Sequence, residues 1–233
     1  VVVKSPISAY AVYSNGNEVG VSYTYNTITA EGYFIFGIYD DSQEIIDNTI
    51  TLTGNYTVGI VVLSEAIVEN NKITLIASNV GNEQGMDYVP AEISGIVVRA
   101  NASISNNEIS SNNKAISLLG GSSTITDNSM TGYIYVASND NTFTGNIVNA
   151  TGEYAIDLGT STGNVVTENE LYANALEGDS AVNGDALTNE IYGNYPSNQT
   201  DAVLIVEVAD ITEGESETIE VTLPSDAEGT VTI

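Results

Sequence analysis

Histidine, cysteine and tryptophan are absent from this 233-residue chain, and Lys and Arg together number 4 against 31 Asp and Glu. Without cysteine there is no disulfide staple, zinc–thiolate centre or thiol nucleophile. Without histidine the usual general base of a nucleophilic triad is missing. A formal charge of −27 leaves few cations to meet phosphates, which argues against nucleic acid and against docking on an anionic membrane. No apolar run approaches the roughly 20 residues of a membrane-spanning helix, so direct membrane insertion of this segment is not expected. There is no Gly-x-x-x-x-Gly-Lys phosphate loop. A chain that opens on Val1 without a signal-peptide pattern is expected to be a mature or excised piece of something longer.

What is present is asparagine, 26 residues of it, within a chain whose apolar fraction of 42% is enough for a substantial core. The pattern apolar-x-x-Asn-x-apolar recurs as YTYNTI at Asn26, IIDNTI at Asn48, VENNKI at Asn71, ISNNEI at Asn107, ITDNSM at Asn128, FTGNIV at Asn146, VTENEL at Asn169 and, weakly, ALTNEI at Asn189. The spacings are 22, 23, 36, 21, 18, 23 and 20. Short apolar strands run in step, with central residues Ile38, Ile60, Ile96, Ile116, Ile134 and Ile156 at gaps of 22, 36, 20, 18 and 22. Both registers share one long gap, which predicts a loop near 79–94 inserted in a single repeat.

A unit of this length is too short for a propeller blade, and no window holds a 3.6-residue period. Short strands bounded by turn residues, repeated in register, predict an all-β fold: a right-handed parallel β-helix of about eight rungs over 1–199. In STITDNSMTG, Ile125 and Met130 lie five apart and would face opposite ways on a straight strand. A bend at Asn128, a residue type that tolerates the left-handed conformation, lets both face the axis. Asparagines at successive bends would then lie about 4.8 Å apart and hydrogen-bond as a ladder. The rungs resemble those of right-handed β-helix proteins related to pectate lyases, whose tight turn often carries such a ladder. Eight rungs would make a rod roughly 40 Å long.

Beyond Asp201 asparagine disappears and strand patterns follow at 203–208, 217–223 and 229–233. Residues 200–233 are read as the first strands of a truncated immunoglobulin-like module. The segment VEVADITEGESETIEVTLPSDAEGTVTI (206–233), with its ITEGE turn, ETIEVTLP strand and DAEGTVTI continuation, resembles the start of immunoglobulin-like repeats in adhesin-like surface proteins of methanogenic archaea. In that family a β-helix often precedes such modules. The resemblance implies an extracellular, cell-surface or cell-wall protein used for attachment or as a coat, with a glycan, a cell-surface ligand or copies of itself as partner.

Polygalacturonase-like chemistry uses clustered Asp with His, but the only Asp pair is Asp40-Asp41. Pectate-lyase-like elimination needs a basic residue beside calcium. Arg99 is the sole arginine, and Lys4, Lys72 and Lys114 fall at different phases of the repeat. No catalytic residue is assigned. Calcium could be met by Asp40, Asp41, Glu44, Asp179, Asp185, Glu213, Glu215 and Glu217, although no calcium motif is present. Four sequons, at Asn55, Asn101, Asn149 and Asn198, offer glycan acceptor sites. Tyr10, Tyr13, Tyr23, Tyr25, Tyr33, Tyr39 and Tyr56 could line a lateral face that stacks on sugars or partners. The expectation is a non-enzymatic surface protein that presents a rigid solenoid. The alternatives are a self-assembling sheath, coat or filament protein, and a polysaccharide lyase or hydrolase.

Overall fold

A computed structural model describes residues 1–13, 21–41, 43–78 and 93–196. Most of the predicted loop at 79–94, the sequon at Asn198, the segment expected to form an immunoglobulin-like module and Glu213, Glu215 and Glu217 lie outside the described residues. Within them the chain is an all-β, parallel β-solenoid of about seven turns. An 8-stranded narrow sheet runs from Ser22–Thr24 to Glu190–Tyr192. An 11-stranded wide sheet starts at Val2–Tyr13 and includes the long strands Thr27–Asp40, Thr49–Val62 and Glu108–Leu118.

Each turn places equivalent residues in register, so side chains stack in files along the axis. The narrow sheet turns Tyr23, Ile45, Val68, Ile104, Ile125, Phe143, Val166 and Ile191 inward. One limb of the wide sheet contributes Ile28, Ile50, Ile73, Ile109, Met130, Val148 and Leu171. The other contributes Ile38, Ile60, Ile96, Ile116, Ile134, Ile156 and Val182. Isoleucine suits these files because its branched Cβ fixes the rotamer and packs well on a pleated surface. Burying each such side chain contributes about 1.5–3 kcal/mol. Ile125 and Met130 are both buried in this core.

The 36-residue gap also has a structural reading. Lys72–Ala77 and Ser94–Val98 both sit between Thr49–Val62 and Glu108–Leu118, so one wide-sheet strand is split in two. Within the second limb, glycines stack where the pairing skips a residue. A Cβ on Gly37 would run into the carbonyl of Gly59, and one on Gly59 into that of Gly95.

Asparagines 26, 48, 71, 107, 128, 146 and 169 form one continuous file. In each, Nδ2 donates to the Oδ1 of the next at 2.8–3.0 Å. The backbone N–H donates to the same oxygen at 2.9–3.1 Å. Nδ2 also reaches a carbonyl of its own corner, and from Asn48 onward one of the rung before, as when Asn128 meets Thr126 and Ile104. The members from Asn48 to Asn169 are at most 1% exposed, and every polar atom of the buried amide finds a partner.

Two details correct the sequence reading. The left-handed residue is the one before the asparagine: Tyr25, Asp47, Asn70, Asn106, Asp127, Gly145, Glu168 and Gly193 have φ between 54° and 69°. The asparagine is set free to point inward because its neighbour makes the turn. Further, Asn189 does not belong to this file; Asn194 is the eighth member. Asn189 ends a second ladder at the other edge of the narrow sheet, where Ser123 donates its N–H to Asn141 Oδ1, Asn141 pairs with Asn164, and Asn164 with Asn189.

Candidate functional site

The outer side of the second wide-sheet limb carries aromatic rings. Tyr10 pairs in register with Phe36, and Tyr13 with Tyr39. Phe36 follows the inward Ile35 and Tyr39 follows the inward Ile38, so both rings face out. The Tyr10 and Phe36 rings stack at 4.7 Å and 12°, Tyr13 and Tyr39 at 5.7 Å and 25°, and Tyr10 meets Tyr39 edge-on. Phe36 is buried with Val58, Val61 and Val97 in a separate apolar cluster, flanked by Tyr39, Leu63 and Leu119. This limb is therefore apolar on both faces. Tyr10 and Tyr13 remain 40% and 58% exposed on its margin. Burial, then the nearby Tyr39 and Tyr13, pushes the Tyr10 phenol above its ordinary range.

The seven early tyrosines thus do not form one surface. Tyr33 and Tyr56 join Phe34, Ala77 and Ile93 in a second cluster, with Phe34 and Tyr56 stacked at 4.8 Å. Tyr23 packs on the central core. Tyr25 stands at a left-handed corner, 81% exposed.

A groove of about 550 Å³ opens where the wide sheet hands over to the narrow one. It crosses four successive rungs and is lined by Gln43, Glu65, Ala66, Ile67, Asn101, Ala102, Ser103 and Ser122. The buried Ala66 and Ala102 occupy the file that holds Ser123, Asn141, Asn164 and Asn189 further along. The corners beside them, 63–65 and 99–101, are short; the later corner at 159–163 is longer. The second ladder and the groove divide the same edge of the rod between them.

Among the described residues, the acidic side chains considered for calcium do not converge. Asp179 accepts from Asn194, Asp185 from the backbone of Leu187, and Glu44 from Ser22. Among the described residues no three His, Cys, Asp or Glu side chains are grouped as a metal site. The cations are equally dispersed. Lys4 pairs with Glu31 at 2.6 Å, Lys72 with Glu108 at 2.7 Å, and Lys114 lies over the Tyr135 ring. Arg99 is exposed at a corner. Of the sequons, Asn101 and Asn149 are exposed. Asn55 is half-buried within a strand, and the Thr57 of its sequon is fully buried.

No protein-family model matches this chain, and no curated protein or solved structure matches it significantly.

Proposed function

We propose that this chain is a non-enzymatic, extracellular surface protein that uses a rigid solenoid to hold lateral binding surfaces away from the cell, attaching it to glycans, cells or other surfaces. One observation carries the reading: a chain of charge −27 places a stacked, partly exposed aromatic margin, Tyr10, Tyr13 and Tyr39 on Phe36, on the outside of a parallel β-solenoid. Aromatic rings held this way present contact area at low entropic cost, and they suit sugar rings and protein partners alike. The dispersed cations and carboxylates support a binding role over acid–base chemistry. The tail's likeness to the modules of archaeal adhesin-like proteins fits a stalk that follows the rod. Binding through such a surface is polyvalent and weak per site.

The test is adhesion of beads coated with this chain to a glycan array and to whole cells, with and without calcium. Tyr10→Ala with Tyr13→Ala should reduce retention severalfold while circular dichroism stays unchanged. Equal retention by the double variant, or no retention by the parent on any surface, overturns the reading.

A further inference from the structure

We infer that the groove between the two sheets is a binding site for a short neutral oligosaccharide, a deepening that rests on the glycan-attachment reading above. Its length spans three strand spacings, about 14 Å, and its volume lies within the range of small-molecule sites. Its chemistry is mixed and complete. Glu65 supplies a carboxylate acceptor, Gln43 and Asn101 supply amides that donate and accept, and Ser103 and Ser122 supply hydroxyls or their backbone. That is the set needed by vicinal hydroxyl groups, each of which both donates and accepts.

Asn101 is already oriented: its Oδ1 accepts the Ser122 N–H at 2.9 Å. Ile67, 43% exposed, gives an apolar floor for the C–H face of a sugar ring. The lining excludes other classes. The lining itself holds no lysine or arginine, Arg99 on the adjoining corner is the one cation near it, and the field of the chain is strongly negative, which disfavours uronates and phosphates. One carboxylate is too few for calcium. The strands on either side are hydrogen-bonded to their neighbours, so no sheet edge is offered to an extended peptide.

Chemical-shift mapping on the whole chain decides the matter, using neutral gluco-, galacto- and manno-oligosaccharides and uronate oligomers of equal length. At least one neutral series should shift the amides of Glu65, Asn101 and Ser122, while uronates leave them unmoved. Ser103→Trp, which fills the groove from an exposed strand position and spares the core, should abolish those shifts. Glu65→Gln should weaken binding about tenfold, the usual effect of a lost charge-assisted hydrogen bond. Shifts confined to the Tyr10–Tyr13 margin and unaffected by Ser103→Trp overturn the groove and leave the attachment reading standing. Preference for uronates overturns it as well. A groove silent to every sugar overturns it, and the bead assay then reports separately on attachment.

Discussion

Asn194 donates both its backbone N–H and its Nδ2 to a single carboxylate oxygen of Asp179, at 3.0 and 2.6 Å. Asp179 lies on the short 3₁₀ turn Gly178–Ala181 and stands where a further rung would place its asparagine oxygen. An acceptor-only group at this point ends the ladder: it receives the last pair of donors and has no proton to pass on. This cap closes the asparagine file at the C-terminal end of the described rod.

Replacing the cap tests that role. Asp179→Ala leaves two donors without their acceptor and should cost about 1–3 kcal/mol. Asp179→Asn keeps an oxygen in place and should lose far less. Chemical denaturation of both variants, with amide exchange read at Asn169 and Asn194, distinguishes the two outcomes.

An interior rung should be more sensitive than the first. Asn128→Ala strands the N–H and Nδ2 of Asn107 and frees the carbonyls of Ile104 and Thr126. With burial at 1% exposure, a loss of about 3 kcal/mol is expected. Asn26→Ala, at a half-buried position, should lose less than half of that. Equal losses in urea unfolding would show that the ladder contributes nothing beyond local turn formation.

Corner strain gives a prediction of opposite signs. Glu168 holds φ 57°, a conformation that disfavours a side chain by about 1 kcal/mol. Glu168→Gly should therefore stabilise the chain or leave it unchanged. Gly145→Ala should destabilise it, because φ is 69° and a Cβ there would strike the Asp127 carboxylate. Melting temperatures of the two variants, moving apart from the parent, check the claim.

Several phenols should tie stability to alkaline pH. The Tyr25 phenol is raised by its hydrogen bond to Asp47, that of Tyr154 by Glu153 and that of Tyr172 by Glu170, while burial raises Tyr10. Each folded value lies above the ordinary 10.0 of a free phenol, so the stabilisation is complete below that pH and is lost as pH rises through the folded value. Lys4, raised by Glu31, adds the same sign above 10.5. Glu31, lowered by Lys4, acts at the other end: its contribution is present above 4.5 and is lost as pH falls through its folded value. Denaturant midpoints across both windows should show a decline on each side, and tyrosinate absorbance should lag free tyrosine. Because these groups are exposed or only half-buried, both declines should be shallow and weaken in salt.

Much of this architecture was legible in the residues. The paired registers, Asn26 to Asn169 and Ile38 to Ile156, come from strict structural repetition, and repetition survives in sequence. The second ladder was also legible, though less plainly. In the last three rungs asparagines recur five apart, as 141 and 146, 164 and 169, 189 and 194. That period runs along both edges of one short strand, and the motif used to find the first file assigned Asn189 to the wrong edge. The turn position was legible too, since Asp47, Asn70, Asn106, Asp127, Gly145 and Gly193 are ready left-handed formers, but the recurring Asn beside each drew the assignment one residue on; only at Tyr25 and Glu168 does tertiary packing override a poor preference. The groove could not be read at all. It arises from what Ala66 and Ala102 lack and from the shortness of the corners at 63–65 and 99–101, and neither leaves a motif. The aromatic margin was half visible: the tyrosines were evident, but only the register of Tyr10 on Phe36 separates surface rings from core ones.

The bonds that join rung to rung run along the rod, while each strand lies across it. Tension applied between its two ends would therefore load one circumference at a time and not shear all of them together. Every coil that yields frees another 18 to 36 residues of slack before the next is engaged. A tether built this way gives gradually under a sudden tug, dissipating mechanical work where a compact globule would snap open at once.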